Sequence, residues 1–207
     1  MSKSAVIIVE AVLAVVILGS IFFKTTSAPP APVPVSDPMA DHHKPKPADS
    51  SIFSSLINQP APDFTLTTFD GKSLQLSQMR GKNVLLFFNE GLMCYPACWD
   101  QIVAFGADGE FAKANTVVLN ITVDPQSQWQ QATVKMPKLA SATVLLDTQK
   151  EASAKYGVLS LESSMHRGQF PGHTYVLIDK KGIVRFQLDD PTMAIRNKQL
   201  LEEIAKL

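Results

Sequence analysis

The chain has 207 residues, with 19 basic and 19 acidic side chains and no net formal charge. The charges are mixed along the sequence rather than gathered into a basic stripe, which excludes an electrostatic nucleic-acid surface. The roughly 155 residues that follow a proline-rich stretch suit one globular domain with its own core.

The first element is Ala5 to Phe23, apolar except for Glu10, Gly19 and Ser20. At ~1.5 Å rise per residue such a helix spans roughly the ~30 Å hydrocarbon core of a bilayer. A cleaved signal peptide would have a shorter apolar region, of ~7–15 residues, and the small residue Ala28 is followed at once by proline. Residues 1–27 are therefore expected to be an uncleaved transmembrane helix whose partner is membrane lipid. Lys3 and Lys24 flank the run symmetrically, and the α-amino group tips the balance inward. This predicts a single-pass protein of the cell membrane with its C-terminal domain on the extracytoplasmic side.

Residues 28–55 follow as a linker. Seven prolines between Ala28 and Ser50 favour an extended, semi-rigid spacer, in which His42 and His43 are solvated. Residues 56–207 form the domain. "DFTLTTFDGKSLQL" alternates around Asp70-Gly71 and predicts a β-hairpin. "NVLLFF" (Asn83–Phe88) is continuously apolar, as a central strand buried on both faces requires. After the cysteines, Trp99, Ile102, Val103, Phe105 and Phe111 suit a helix that ends near Gly106 or Gly109. "TVVLNITVD" (Thr116–Asp124) and "ATVLLD" read as further strands, "PQSQWQQATVK" as a helix opening at Pro125, and "TQKEASAKYG" as one closing at Gly157. "HTYVLIDKKGIVRFQL" reads as two strands joined at a Lys-Gly turn, and "NKQLLEEIAKL" as an amphipathic terminal helix. This order predicts an α/β fold with a largely parallel centre and helices on both faces.

The two cysteines, Cys94 and Cys98, fall between the Asn83–Phe88 strand and the next helix, where such sheets collect reactive groups. Proline is favoured at the first helical position, so Pro96 there makes Tyr95 the cap and Cys98 the third helical residue. Cys98 would then lie among unpaired backbone N–H groups at the positive end of the helix, which favours its thiolate. Four helical steps separate Cα atoms by roughly 6 Å, within reach of a disulfide. A bridge closing so short a loop gains little as a staple, which points to redox or metal chemistry.

"APDFTLTTFDGKSLQLSQMRGKNVLLFF", a cysteine at a helix start, "YGV" and "PGHTYVLIDKKGIVRF" together resemble the redoxin branch of the thioredoxin superfamily. That branch joins peroxiredoxins (the alkyl hydroperoxide reductase/thiol-specific antioxidant family) to membrane-anchored thioredoxin-like proteins. The resemblance implies a thioredoxin-like fold with a central mixed sheet and helices on both faces. It also implies a thiol-dependent oxidoreductase acting on protein thiols and disulfides or on peroxide.

Some family features are replaced here. Counted back from Cys98, Tyr95 and Gly91 stand where peroxiredoxins carry threonine and proline; counted back from Cys94, Gly91 and Phe87 do, so neither cysteine matches the pattern. His173 stands where the family arginine usually lies, with Arg167 the nearest basic substitute. The spacing Cys-x-x-x-Cys has one residue more than the thioredoxin-like Cys-x-x-Cys. It also resembles Sco-type copper chaperones, which implies Cys94, Cys98 and His173 as an alternative copper site. The expected function is thus a membrane-tethered thiol–disulfide oxidoreductase using Cys94 and Cys98 without a cofactor, supported by Tyr95, Pro96, His173 and Arg167. A copper-binding assembly factor and an atypical thiol peroxidase are the alternatives.

Overall fold

The computed structural model describes residues 47–207. The expected membrane helix within residues 1–27, and the linker up to residue 46 with His42 and His43, lie outside the described residues. Among the described residues, no helix is long and apolar enough to cross a membrane.

The chain runs through α1 (Ser51–Ser55), β1 (Thr65–Thr68), β2 (Ser73–Gln75), β3 (Asn83–Phe88), α2 (Ala97–Ala107) and α3 (Glu110–Lys113). It continues through β4 (Thr116–Thr122), α4 (Gln126–Lys135), β5 (Val144–Leu146), α5 (Glu151–Lys155), β6 (Thr174–Ile178), β7 (Val184–Asp189) and α6 (Asn197–Ile204). The seven strands form one sheet in the order β2-β1-β5-β4-β3-β6-β7. β3, β4 and β5 are parallel, whereas β1 joins β5, and β6 joins β3, in antiparallel pairs. This is a thioredoxin-like α/β fold with a mixed central sheet.

The apolar run of β3 finds its reason in the alternation of side chains along a strand. Val84, Leu86 and Phe88 enter one core with Phe64, Tyr156 and Val176. Leu85 and Phe87 enter the opposite core with Ile102, Phe105, Trp129, Tyr175 and Leu200. Burying one such side chain stabilises the fold by about 1.5–3 kcal/mol, so both faces hold β3 in register. The hairpin pairs Leu66 with Leu74 and turns at Gly71, whose φ of 90° suits glycine.

Three local expectations change. The last residues of the segment read as linker form α1, and Phe53 packs into the first core. Pro125 is extended and caps α4, so the first helical residue is Gln126. The helix read over "TQKEASAKYG" shortens to α5 because Lys150 adopts φ 62°; the Asp147 carboxylate then accepts the Ala152 and Ser153 N–H groups at the helix start.

Candidate active site

β3 delivers the chain to the end of the sheet, and a single 3-10 turn, Gly91–Met93, links it to the cysteines. This turn is pinned from two sides. Leu92 N–H donates to Asp124 Oδ2 at 2.9 Å, and the Trp99 indole N–H donates to the Gly91 carbonyl at 3.2 Å. Asp124 also accepts from Thr122 Oγ1 at 2.6 Å and Trp129 Nε1 at 3.2 Å. Burial nevertheless dominates and pushes its carboxyl above the usual range.

Cys94 and Cys98 are joined by a disulfide with Cα atoms 5.3 Å apart. Cys94 lies outside the helix, at φ −92° and ψ 52°, which brings it closer than four helical steps would. The Tyr95–Pro96 peptide is cis. Pro96 is the cap of α2 rather than its first residue, so Cys98 is second in the helix, not third. The Cys98 N–H is also not unpaired, since it donates to the Cys94 carbonyl at 3.0 Å. Tyr95 is exposed and packs edge-on against Trp99 instead of capping.

His173 stands against the pair. It is fully buried just before β6, with Nδ1 3.6 Å from Cys98 Sγ and Nε2 2.8 Å from the Tyr175 hydroxyl. Its ring lies edge-on to Phe87, and Phe87 stacks on Tyr175. The ligand atoms of Cys94, Cys98 and His173 all lie within 4.8 Å of one another. Burial depresses the imidazole pKa to about 4, which keeps it neutral. Arg167 is turned to the loop before β6, where Nε and Nη2 donate to the Leu161 and Glu162 carbonyls.

Several neighbours carry no sequence signal of their own. Met193 Sδ lies 3.9 Å from Cys94 Sγ, on a turn where Met193 takes φ 51°. The buried Asp190 carboxylate builds that turn by accepting from Thr192 Oγ1, Ala194 N and the Arg196 guanidinium. These bonds hold its pKa well below the usual carboxylate range. Glu90 is fully buried, accepting from Met165 N at 2.7 Å, from His166 N and from His166 Nδ1. Met93 and Met165 are exposed.

These pKa directions give the site an acid limit. His173 binds a proton in the unfolded chain below about pH 6.5 but in the folded chain only near 4. Its stabilising effect is thus complete above pH 6.5 and lost as pH falls toward 4, on the order of 3 kcal/mol. Asp190 loses stability in the same direction below the ordinary carboxylate pKa, while Asp124 opposes it by becoming easier to bury when protonated. Denaturant midpoints measured from pH 7.5 to 4 should fall steeply for the native chain. The fall should be much shallower for His173→Gln, and equal slopes would contradict the assignment.

With this geometry in view, the relatives are informative. The sequence model of the AhpC/TSA family matches residues 57–187. Peroxiredoxin-2 of Cricetulus griseus is 37% identical over 144 residues, covering 62% of this chain and 67% of the relative. Peroxiredoxin-1 of Gallus gallus is 34% identical over 154 residues, covering 63% and 68%. Among solved structures, the reduced 2-Cys peroxiredoxin of Plasmodium vivax superposes with a TM-score of 0.61 at 24% identity, over 72% of this chain and 80% of that one. The peroxidoxin BcpB of Mycobacterium tuberculosis gives a TM-score of 0.61 at 21% identity, over 73% and 97%. Both structures agree with the fold.

Proposed function

Since the chain belongs to the AhpC/TSA family and is a thiol-dependent oxidoreductase, we propose that its working centre is the Cys94–Cys98 pair and its reaction thiol–disulfide exchange. The observation that carries this reading is a bridged pair at a helix start with a neutral imidazole 3.6 Å from the inner sulfur. The route follows from position. Both cysteines are buried, but Cys98 has no exposed surface and lies against His173, whereas Cys94 keeps 3% of its surface exposed and is flanked by the exposed Met93 and Tyr95. An incoming thiolate attacks Cys94 Sγ, the Cys94–Cys98 bond breaks, and Cys98 leaves as the thiolate. A second thiolate then attacks the partner sulfur and releases Cys94, leaving the partner oxidised and the pair reduced by two electrons. The reverse sequence reduces a partner disulfide. Tethering by an N-terminal membrane helix, with the domain extracytoplasmic, belongs to the same proposal and rests on the apolar run Ala5–Phe23.

Peroxide is the other oxidant to test, because the relatives are peroxiredoxins. The changes at Gly91, Tyr95 and His173, where that family carries proline, threonine and arginine, favour disulfides over it. A copper-binding role is supported by one observation, the convergence of two sulfurs and an imidazole nitrogen within 4.8 Å.

Insulin-disulfide reduction, peroxide consumption and Cu(I) binding measured in parallel on the detergent-solubilised chain separate the three. Disulfide turnover that far exceeds peroxide turnover is the expected result. Tight stoichiometric copper binding lost in His173→Ala, without disulfide turnover, would replace this reading with the copper one. Recovery of the native chain in the membrane fraction after carbonate washing, and its loss on deletion of residues 1–27, tests the tether.

A further inference from the structure

The hydrogen bonds around His173 determine which of its nitrogens carries the proton, and the assignment can be followed from fixed points. At one end, the Arg196 backbone N–H can only donate, and it donates to Gln101 Oε1 at 2.8 Å. At the other end, the Ala104 carbonyl and the Asp108 carboxylate can only accept, and both receive Asn197 Nδ2, at 3.1 and 2.9 Å. Asn197 Oδ1 is therefore left to accept from Gln101 Nε2 at 2.8 Å. Both ends thus agree on the orientation of the Gln101 amide.

Gln101 Oε1 faces the Tyr175 hydroxyl at 3.0 Å and can only accept, so the single tyrosine proton points to it. The same hydroxyl lies 2.8 Å from His173 Nε2 and has only lone pairs left to offer. Nε2 must then carry the imidazole proton. Nδ1 is left with a bare lone pair, and that atom is the one facing Cys98 Sγ.

We infer that Gln101 and Tyr175 are positioning residues that fix His173 as its Nε2–H tautomer, so that Nδ1 is the acceptor for the Cys98 thiol once the disulfide is open. The inference deepens the thiol–disulfide reading and rests on it for its chemical consequence. When Cys98 attacks a mixed disulfide at Cys94, the Cys94–Cys98 bond forms and the Cys94–partner bond breaks. The partner sulfur leaves with the electron pair, and the Cys98 proton, accepted at Nδ1, ends on the departing thiolate, so that the buried imidazole is left neutral again. With the other tautomer, Nδ1–H would face the sulfur and could take no proton. Gln101, Asn197 and Arg196 come from α2 and the start of α6, so the relay also ties these two elements to β6. The groups facing His173 from the packed elements are Cys98 of α2, Phe87 of β3, Tyr175 of β6, the Ala194 backbone, and the Asp190–Arg196 pair beside it; Gln101 acts one step away, through the Tyr175 hydroxyl.

The test uses the full-length native chain with ¹⁵N-labelled histidine. Long-range ¹H–¹⁵N correlation at neutral pH should show His173 with a protonated Nε2 and a bare Nδ1. In Gln101→Leu the tyrosine proton is free to turn toward Nε2, so the tautomer should shift to Nδ1–H. In the same variant, resolution of a Cys94 mixed disulfide should slow by roughly 10–100-fold, as losses of ligand-orienting partners do. In Gln101→Glu a carboxylate still accepts from Tyr175, and the native tautomer should persist. A native Nδ1–H tautomer would overturn the inference, as would an unchanged tautomer in Gln101→Leu. The magnetic readout does not require turnover, so failure of the thiol–disulfide reading would show separately, as a native tautomer in a chain without exchange activity.

Discussion

Replacing either cysteine with serine should lower disulfide turnover by roughly 10³-fold or more, the scale on which losing a covalent nucleophile acts. The two variants should differ in what they trap. Cys98→Ser keeps Cys94, the less deeply buried of the two at 3% exposure and flanked by the exposed Met93 and Tyr95, but removes the thiol that resolves an adduct. It should accumulate a mixed disulfide with a small disulfide reagent or a protein partner. Cys94→Ser leaves only a sulfur with no exposed surface, against His173, and should trap little. Intact-mass spectrometry after brief exposure to the disulfide distinguishes them. Trapping by Cys94→Ser alone would reverse the order of attack, and undiminished turnover in both would remove the pair from the reaction.

The second large effect is expected at Gly91, through the backbone rather than the chemistry. Gly91 adopts φ 62°, and an added Cβ would collide with Asp124 Oδ2 and Thr122 Oγ1. Asp124 Oδ2 holds the Leu92 N–H and is itself held by the Thr122 hydroxyl, so relieving the collision breaks the anchor of the turn leading to Cys94. Gly91→Ala should combine backbone strain of about 1–3 kcal/mol with a similar cost for buried polar groups left unpaired. A loss of ~3 kcal/mol corresponds to a Tm lower by roughly 6–12 °C in a chain of this size. Gly81→Ala is the control, because Gly81 also has a positive φ, 88°, but has open space where the Cβ would go. The difference between the two, read by thermal and denaturant unfolding, isolates the cradle formed by Thr122 and Asp124. Equal losses would show that the collision is relieved without breaking it.

What could be read in advance depended on whether the signal was local. Side-chain alternation made β3 and the hairpin legible, and the order of elements sufficed for an α/β sheet with the cysteines at its reactive end. His173 was marked by its place in a family pattern, and Tyr175 two residues on shares its side of β6, as strand periodicity requires. The helix start was legible only to within a residue. A proline can precede a helix as readily as open it, and Pro96 caps α2 just as Pro125 caps α4.

The α/β sheet, the burial of β3 on both faces and the meeting of a cysteine pair with a helix were thus legible in advance, because they follow from periodicity and from residues only a few positions apart. Tertiary structure alone decided what surrounds the sulfur. It placed Met193 beside Cys94 across 99 positions, Glu90 under the loop at Met165 and His166 across 75 and 76, and Gln101 on Tyr175 across 74. Contacts of that kind depend on how α2, β6 and the turn before α6 pack together. No local pattern encodes such packing, and it is this packing that orients the proton on His173.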